Sequence, residues 1–221
     1  MQQFRTTTPV SVVLDIPAGR VQIIAADRAD STVEVRPAKA DRGRDVKAAE
    51  RTSVTYGDGV LRIRTADTGS RLLGPTGALE VTVQVPSGSR LEGRSGGAEL
   101  RAVGRLGEVS FEGAYRRTKV DEAASLRLAA LDGDIEVGRL TGPAQIETGR
   151  GDISIAEAAS GTVVLRTGMG DISVAAAAGV SCALDAGTAH GRIDNGLKND
   201  GTTVLDIRAT TDMGDITARS L

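Results

Sequence analysis

Apolar and polar residues alternate along short stretches of this chain, and glycine or proline separates the stretches. That is the period-2 pattern of half-buried β-strands. Val10–Ile16 reads as one strand, Pro17, Ala18 and Gly19 as a turn, and Arg20–Ile24 as the next strand. Thr32–Arg36, Ser53–Tyr56 and Val60–Arg64 follow, and Gly57-Asp58-Gly59 between the last two predicts a hairpin. Val33/Val35, Leu61/Ile63 and Val81/Val83/Val85 each place one face inward. Ala38–Thr52 is dense in charge with little apolar spacing, which predicts an exposed loop with one helical turn at Val46–Arg51. Thr65–Ala78, with Gly69, Gly74, Pro75 and Gly77, predicts a second loop.

Beyond Pro86 the pattern becomes a repeat. Asp132-Gly-Asp-Ile-Glu-Val137 returns as Arg150–Ile155, Met169–Val174 and Met213–Ala218, with weaker copies at Gly191–Asp194, Ala98–Arg101 and Thr118–Asp121. The apolar residue after each turn gives the series Leu100, Val120, Ile135, Ile153, Ile172, Ile193 and Ile216. A second series, Leu91, Phe111, Leu128, Ile146, Leu165, Leu184 and Ile207, precedes it by seven or nine residues. Each unit is thus a short strand, a glycine-containing corner, a second short strand and a variable return.

A repeat of about 20 residues with β-branched strands and glycine corners is the signature of a β-solenoid, whose coils bury their apolar positions against one another. A sandwich of hairpins also permits regular turns, but gives no reason for the same Gly-Asp-Ile corner to recur. The expected fold is therefore all-β, a solenoid of short irregular coils resembling a right-handed β-helix. Residues 1–86 form a strand-rich region continuous with it, and residues 87–221 carry the repeats. Ile135, Ile153, Ile172, Ile193 and Ile216 are expected to form one stacked interior column.

The repeated Thr-Gly-x-Gly-Asp-Ile at Thr148–Ile153 and Thr167–Ile172 closely resembles the bacterial β-strand-repeat family of "putative adhesins" of unknown function. So do the opening Gly19–Ile23, the Gly59–Ile63 piece and the Val81–Pro86 strand, and the likeness covers nearly the whole chain. It implies a surface role and transfers no catalytic residue. The pattern departs at Tyr115–Lys119, where cationic residues replace the Gly-Asp corner, and at His190–Ile193, where Arg192 takes the aspartate position.

Composition narrows the chemistry. Aromatic residues number four (Phe4, Phe111, Tyr56, Tyr115) and tryptophan is absent, so the core must be aliphatic. The 28 glycines make about 13% of the chain, against an average near 7%. One histidine, His190, and one cysteine, Cys182, exclude a four-ligand His/Cys zinc site and an intrachain disulfide. Net charge is −2, which does not indicate a nucleic-acid binder. Residues 1–120 nevertheless carry 19 basic against 14 acidic side chains, and residues 121–221 carry 8 against 15. No apolar run is long enough to span a membrane. The first residues show no basic-then-apolar secretory pattern, and a cytoplasmic location is expected.

At the corners, Gly133, Gly151, Gly170 and Gly214 supply positive φ, and Asp134, Asp152, Asp171 and Asp215 accept backbone N–H bonds. The sharper alternative is a carboxylate ladder that binds Ca²⁺, since unit charges about 4.8 Å apart repel by about 1 kcal/mol even in water. Asp132 and Asp134 could serve as an acid–base pair on a polysaccharide, as in β-helix enzymes, but residues 121–221 hold no aromatic platform and no catalytic motif appears. His190 reads as a loop residue, Cys182 as core, and Met169 and Met213 as cover for an apolar edge. Arg94, Arg101, Arg105, Arg116, Arg117 and Lys119, interleaved with glutamates, read as a salt-bridged face or as a docking patch for an acidic partner.

The expected function is a non-enzymatic, adhesin-like scaffold that needs no cofactor. After Ile216 only five residues remain, too few for a capping helix, so an open end is expected to drive self-association. The alternative is a binding module for another protein or a cell-envelope polymer.

Overall fold

The computed structural model describes residues 1–66 and 77–221, so most of the expected Thr65–Ala78 loop lies outside the described residues. The fold is all-β and solenoidal, with sixteen strands and one helix among the described residues. Packing divides the chain into two compact units, Met1–Ala114 and Tyr115–Leu221. Residues 87–114 belong to the first.

The first unit contains β1 (Gln2–Arg5), β2 (Ser11–Ile16), β3 (Gly19–Ala26), β4 (Asp30–Pro37), α1 (Gly43–Glu50), β5 (Thr52–Gly57), β6 (Val60–Thr65), β7 (Leu79–Pro86) and the start of β8 (Arg90–Leu140). β2 lies parallel between β6 and the first residues of β8, and β3 lies parallel between β7 and the next stretch of β8. The first coil of the chain is therefore sandwiched between the second and the third. In-register neighbours fill the interior: Val12 beside Leu61 and Leu91, Val21 beside Val81 and Leu100, all buried. Leu14 faces Gly93, and the space that glycine leaves is filled by Phe111, whose ring would sit 2.3 Å from an added Cβ.

Antiparallel strands extend this unit sideways. β5 pairs with β6 through the expected hairpin, where Asp58 (φ 53°) and Gly59 (φ 74°) both take the left-handed conformation that two-residue hairpins require. β4 pairs with β7, and β1 with β4. The stretch expected to be an exposed loop with one helical turn at Val46–Arg51 forms the two-turn helix α1, which starts earlier and packs against β4 and β7. Ala48 is buried, and buried Asp45 accepts the Ala78 N–H at 3.0 Å. A carboxylate used as an internal tether has no apolar period to announce it.

The second unit contains the rest of β8, then β9 (Ala144–Arg150), β10 (Ile153–Ala158), β11 (Gly161–Met169), β12 (Ile172–Ala176), β13 (Cys182–His190), β14 (Ile193–Gly196), β15 (Leu205–Met213) and β16 (Ile216–Ser220). Among the described residues these strands pair in parallel throughout. The expected isoleucine column exists, but its order is Ile135, Ile153, Ile172, Ile216, Ile193. β15 and β16 slot between the coil of β11 and β12 and the coil of β13 and β14, so the last coil of the chain is an interior one. Ile216 is 1% exposed and Ile193 46% exposed. The expectation of an open end after Ile216 is thereby overturned: the end coil is Cys182–Gly196.

In this unit the second apolar series divides between two columns. Leu128, Ile146 and Leu165 align, but their continuation is Ala209 and Ala186. Ile207 and Leu184 stand two residues earlier, in the column of Leu126, Ala144 and Val163. The difference between a spacing of seven and one of nine is that two-residue step.

Candidate functional site

The Gly-Asp corners stack into a continuous edge of the second unit. Gly133, Gly151, Gly170 and Gly214 have φ of 125°, 126°, 145° and 148°, as a residue without a Cβ allows. Close approach requires glycine as well: a Cβ on Gly170 would lie 2.2 Å from the Gly151 carbonyl oxygen, and one on Gly214 would lie 2.0 Å from that of Gly170.

The aspartates bond between coils. Asp134 Oδ1 accepts the Asp152 N–H at 3.0 Å, Asp152 Oδ1 that of Asp171 at 2.8 Å, and Asp171 Oδ1 that of Asp215 at 2.7 Å. Asp215 Oδ1 accepts the Arg192 N–H at 2.8 Å. A threonine row completes the corner. Thr167, Thr211 and Thr188 each donate a hydroxyl to the glycine carbonyl of the adjacent coil, Gly151, Gly170 and Gly214, at 2.9–3.0 Å. The backbone donors thus supply the relief from like-charge repulsion for which the calcium reading invoked a cation. Among the described residues no group of three or more His, Cys, Asp or Glu side chains is arranged to hold a metal ion.

Arginine stands at both ends of this row. Arg192 takes the aspartate position in the end coil, and its guanidinium lies 3.6 Å from the Asp215 carboxylate. At the other end Arg116 takes the glycine position with φ 70°, its carbonyl lying against Gly133, and Arg117 follows it. Arg117 donates from Nε to Glu136 at 3.1 Å, and Lys119 Nζ lies 3.1 Å from the same carboxylate. Those two cations hold the Glu136 carboxyl below its ordinary range, and Glu136 in turn raises the Arg117 guanidinium.

The six cations of the expected docking patch do not all fall in one unit. Arg94, Arg101 and Arg105 are in the first, and Arg116, Arg117 and Lys119 in the second. Arg94 lies 3.5 Å from Glu112 and belongs to a row of alternating charge, Arg64–Asp15–Arg94–Glu112, across the outer face of the first unit. A shallow groove over Gly93 runs along this row and beside Glu92. Arg101 is half-buried, Arg105 is exposed, and Arg116 sits over the Tyr115 ring at 5.8 Å.

The remaining candidates separate clearly. Asp132 lies 3.7 Å from the Arg150 guanidinium while Asp134 bonds the next coil, so each carboxylate is engaged in its own structural contact. Cys182 is buried, and desolvation pushes its thiol pKa up, away from nucleophilic use. Met169 and Met213, expected to cover an apolar edge, are 48% and 51% exposed. They are in-register neighbours, and His190 is the in-register neighbour of Met213. Sequence reasoning missed this grouping, although all three precede the corner glycine of their coils.

No curated protein matches the chain. Among solved structures it is similar to a "putative cell adhesion protein" from Clostridium sporogenes, with 9% identity, TM-score 0.46, and coverage of 100% of this chain and 99% of that one. It is likewise similar to a "putative adhesin" from Parabacteroides distasonis, at 15% identity and TM-score 0.46 over 98% of this chain and 95% of that one. A "putative adhesin" from Bacteroides fragilis shows 10% identity and TM-score 0.40 over 98% and 95%. Over residues 11–220 the sequence matches the pattern of the Toastrack DUF4097 family, and the chain belongs to that family.

Proposed function

We propose that this chain is a non-enzymatic, adhesin-like scaffold that associates with further copies of itself through the end coil β13–β14. The observation that carries the reading is the one-sided pairing of that coil. Among the described residues β13 pairs only with β15, and β14 only with β16. The Lys198 carbonyl meets the Cys182 N–H on the outer side, and strand alternation turns the amides of Leu184 and Ala186 to that same side. A row of backbone donors and acceptors flanked by the exposed Ile193 is a template for strand addition.

The uneven charge favours head-to-tail contact, the acidic second half of one copy meeting the basic first half of the next. Light scattering across concentration and salt tests this. A mass that rises with concentration and falls with salt is expected, and Ile193→Glu or Ala186→Pro should hold the chain as a monomer. A single monomeric mass under all conditions overturns the reading. Capture of another protein by a chain that stays monomeric would favour the binding-module alternative instead.

A further inference from the structure

We propose that Met169, Met213 and His190 form a surface site for a soft monovalent metal ion, Cu(I) in chemical class. Three parallel strands bring them together: Met213 on β15 is in register with Met169 on β11 and with His190 on β13. Their backbones are tied in a line, because Gly170 N–H bonds the Met213 carbonyl at 2.8 Å and Gly214 N–H bonds the His190 carbonyl at 3.0 Å. Neighbouring strands lie about 4.8 Å apart, so side chains at one register position stand close enough to converge on one ion.

All three side chains face solvent, where burial gives no reason for two methionines. Methionine is unbranched, polarisable and has three rotatable bonds, which lets two thioethers close on a central ion from adjacent strands. Thioether sulfur selects Cu(I) over the hard divalent cations, and imidazole completes a mixed soft set. Arg150 and Arg192, the cations flanking the row, each have a carboxylate partner, Asp132 at 3.7 Å and Asp215 at 3.6 Å. Their charge therefore opposes a bound cation less than two free guanidinium groups would. The interleaved order of the coils places Met169 and Met213 side by side; stacking in chain order would have put His190 between them.

The test uses the full chain labelled at the methionine methyl groups. Of the three methionines, Met1 is 86% exposed and serves as the internal control. Titration with Ag(I), a redox-inert probe of the same class, should move the Met169 and Met213 resonances together, saturating at one equivalent, and leave Met1 in place. Competition with a chromophoric Cu(I) chelator should show Met213→Leu and His190→Ala each weakening binding at least about tenfold. Cys182→Ala should bind as the parent chain does. Equal movement of Met1, movement of Met169 and Met213 that continues past one equivalent, unchanged affinity in Met213→Leu, or loss of binding in Cys182→Ala would each overturn the site, the last by assigning the ion to the thiol.

Discussion

Ile172 and Ile216 stand side by side on adjacent parallel strands although 44 residues separate them, and Ile193, which lies between them in sequence, lies beyond them in space. The last coil is thereby held from both sides. Ile216→Ala should cost about 2–5 kcal/mol, as a large-to-small change in a closed interior does. Ile193→Ala, at a position 46% exposed, should cost less than about 1 kcal/mol. Urea unfolding of the two variants checks the order of the coils, since stacking in chain order would reverse the ranking.

The Gly-Asp-Ile phrase made the corners legible because it repeats a backbone requirement, φ > 0 and a close approach, that only glycine meets. The Ile135, Ile153 and Ile172 register followed because their coils are of nearly equal length. Stacking order was not legible: every coil carries the same marker, and which two coils become neighbours depends on how the returns cross. The shift of Leu184 and Ile207 by two residues is written in the sequence as their spacing of nine from the marker. Of helix α1 only one turn, Val46–Arg51, was legible, because Asp45 anchors its first turn by a hydrogen bond that no apolar period announces. The Met169–Met213–His190 row was hidden because each residue alone looks like an ordinary turn position.

Close approach and backbone conformation can be separated at two glycines. Gly179 (φ 78°) has no heavy atom within 4 Å of an added Cβ, whereas Gly170 (φ 145°) has the Gly151 oxygen at 2.2 Å. Gly179→Ala should therefore cost only the left-handed penalty, about 1–2 kcal/mol. Gly170→Ala should cost at least about twice that, because neighbouring coils must also part. Equal losses in denaturant unfolding would mean that the stack yields freely at its corners.

Arg116 occupies a glycine position at φ 70°, where a Cβ is unfavourable by about 1–2 kcal/mol. Its guanidinium recovers part of this over the Tyr115 ring, about 0.5 kcal/mol at an exposed site. Arg116→Gly should therefore stabilise the chain and raise Tm by about 1–4 °C. A fall in Tm would show that the side chain's contacts outweigh the strain of its backbone.

Phe111 and Gly93 share one space in the first unit. Gly93→Ala brings a methyl within 2.3 Å of the ring and should cost about 1–3 kcal/mol by overpacking. Phe111→Leu alone leaves a void. Combined, the added methyl should occupy part of that void, so the double variant should be more stable than the sum of the singles predicts by about 1 kcal/mol or more. Strict additivity would mean that the alanine methyl points elsewhere.

The Glu136 contacts give a pH dependence with a definite sign. Arg117 and Lys119 lower its carboxyl pKa in the folded chain, so the folded state binds a proton there less readily than the unfolded state. The contribution is present above the unfolded value, about 4.3, and disappears as pH falls through the lower folded one. Solvent screening at this partly exposed site keeps it below about 1 kcal/mol. Glu136→Gln should therefore be slightly less stable than the parent at pH 7, and the gap should close as pH falls below 4, with added salt shrinking it at neutral pH. A gap that widens on acidification would mean that the two cations do not stabilise the ionised carboxylate.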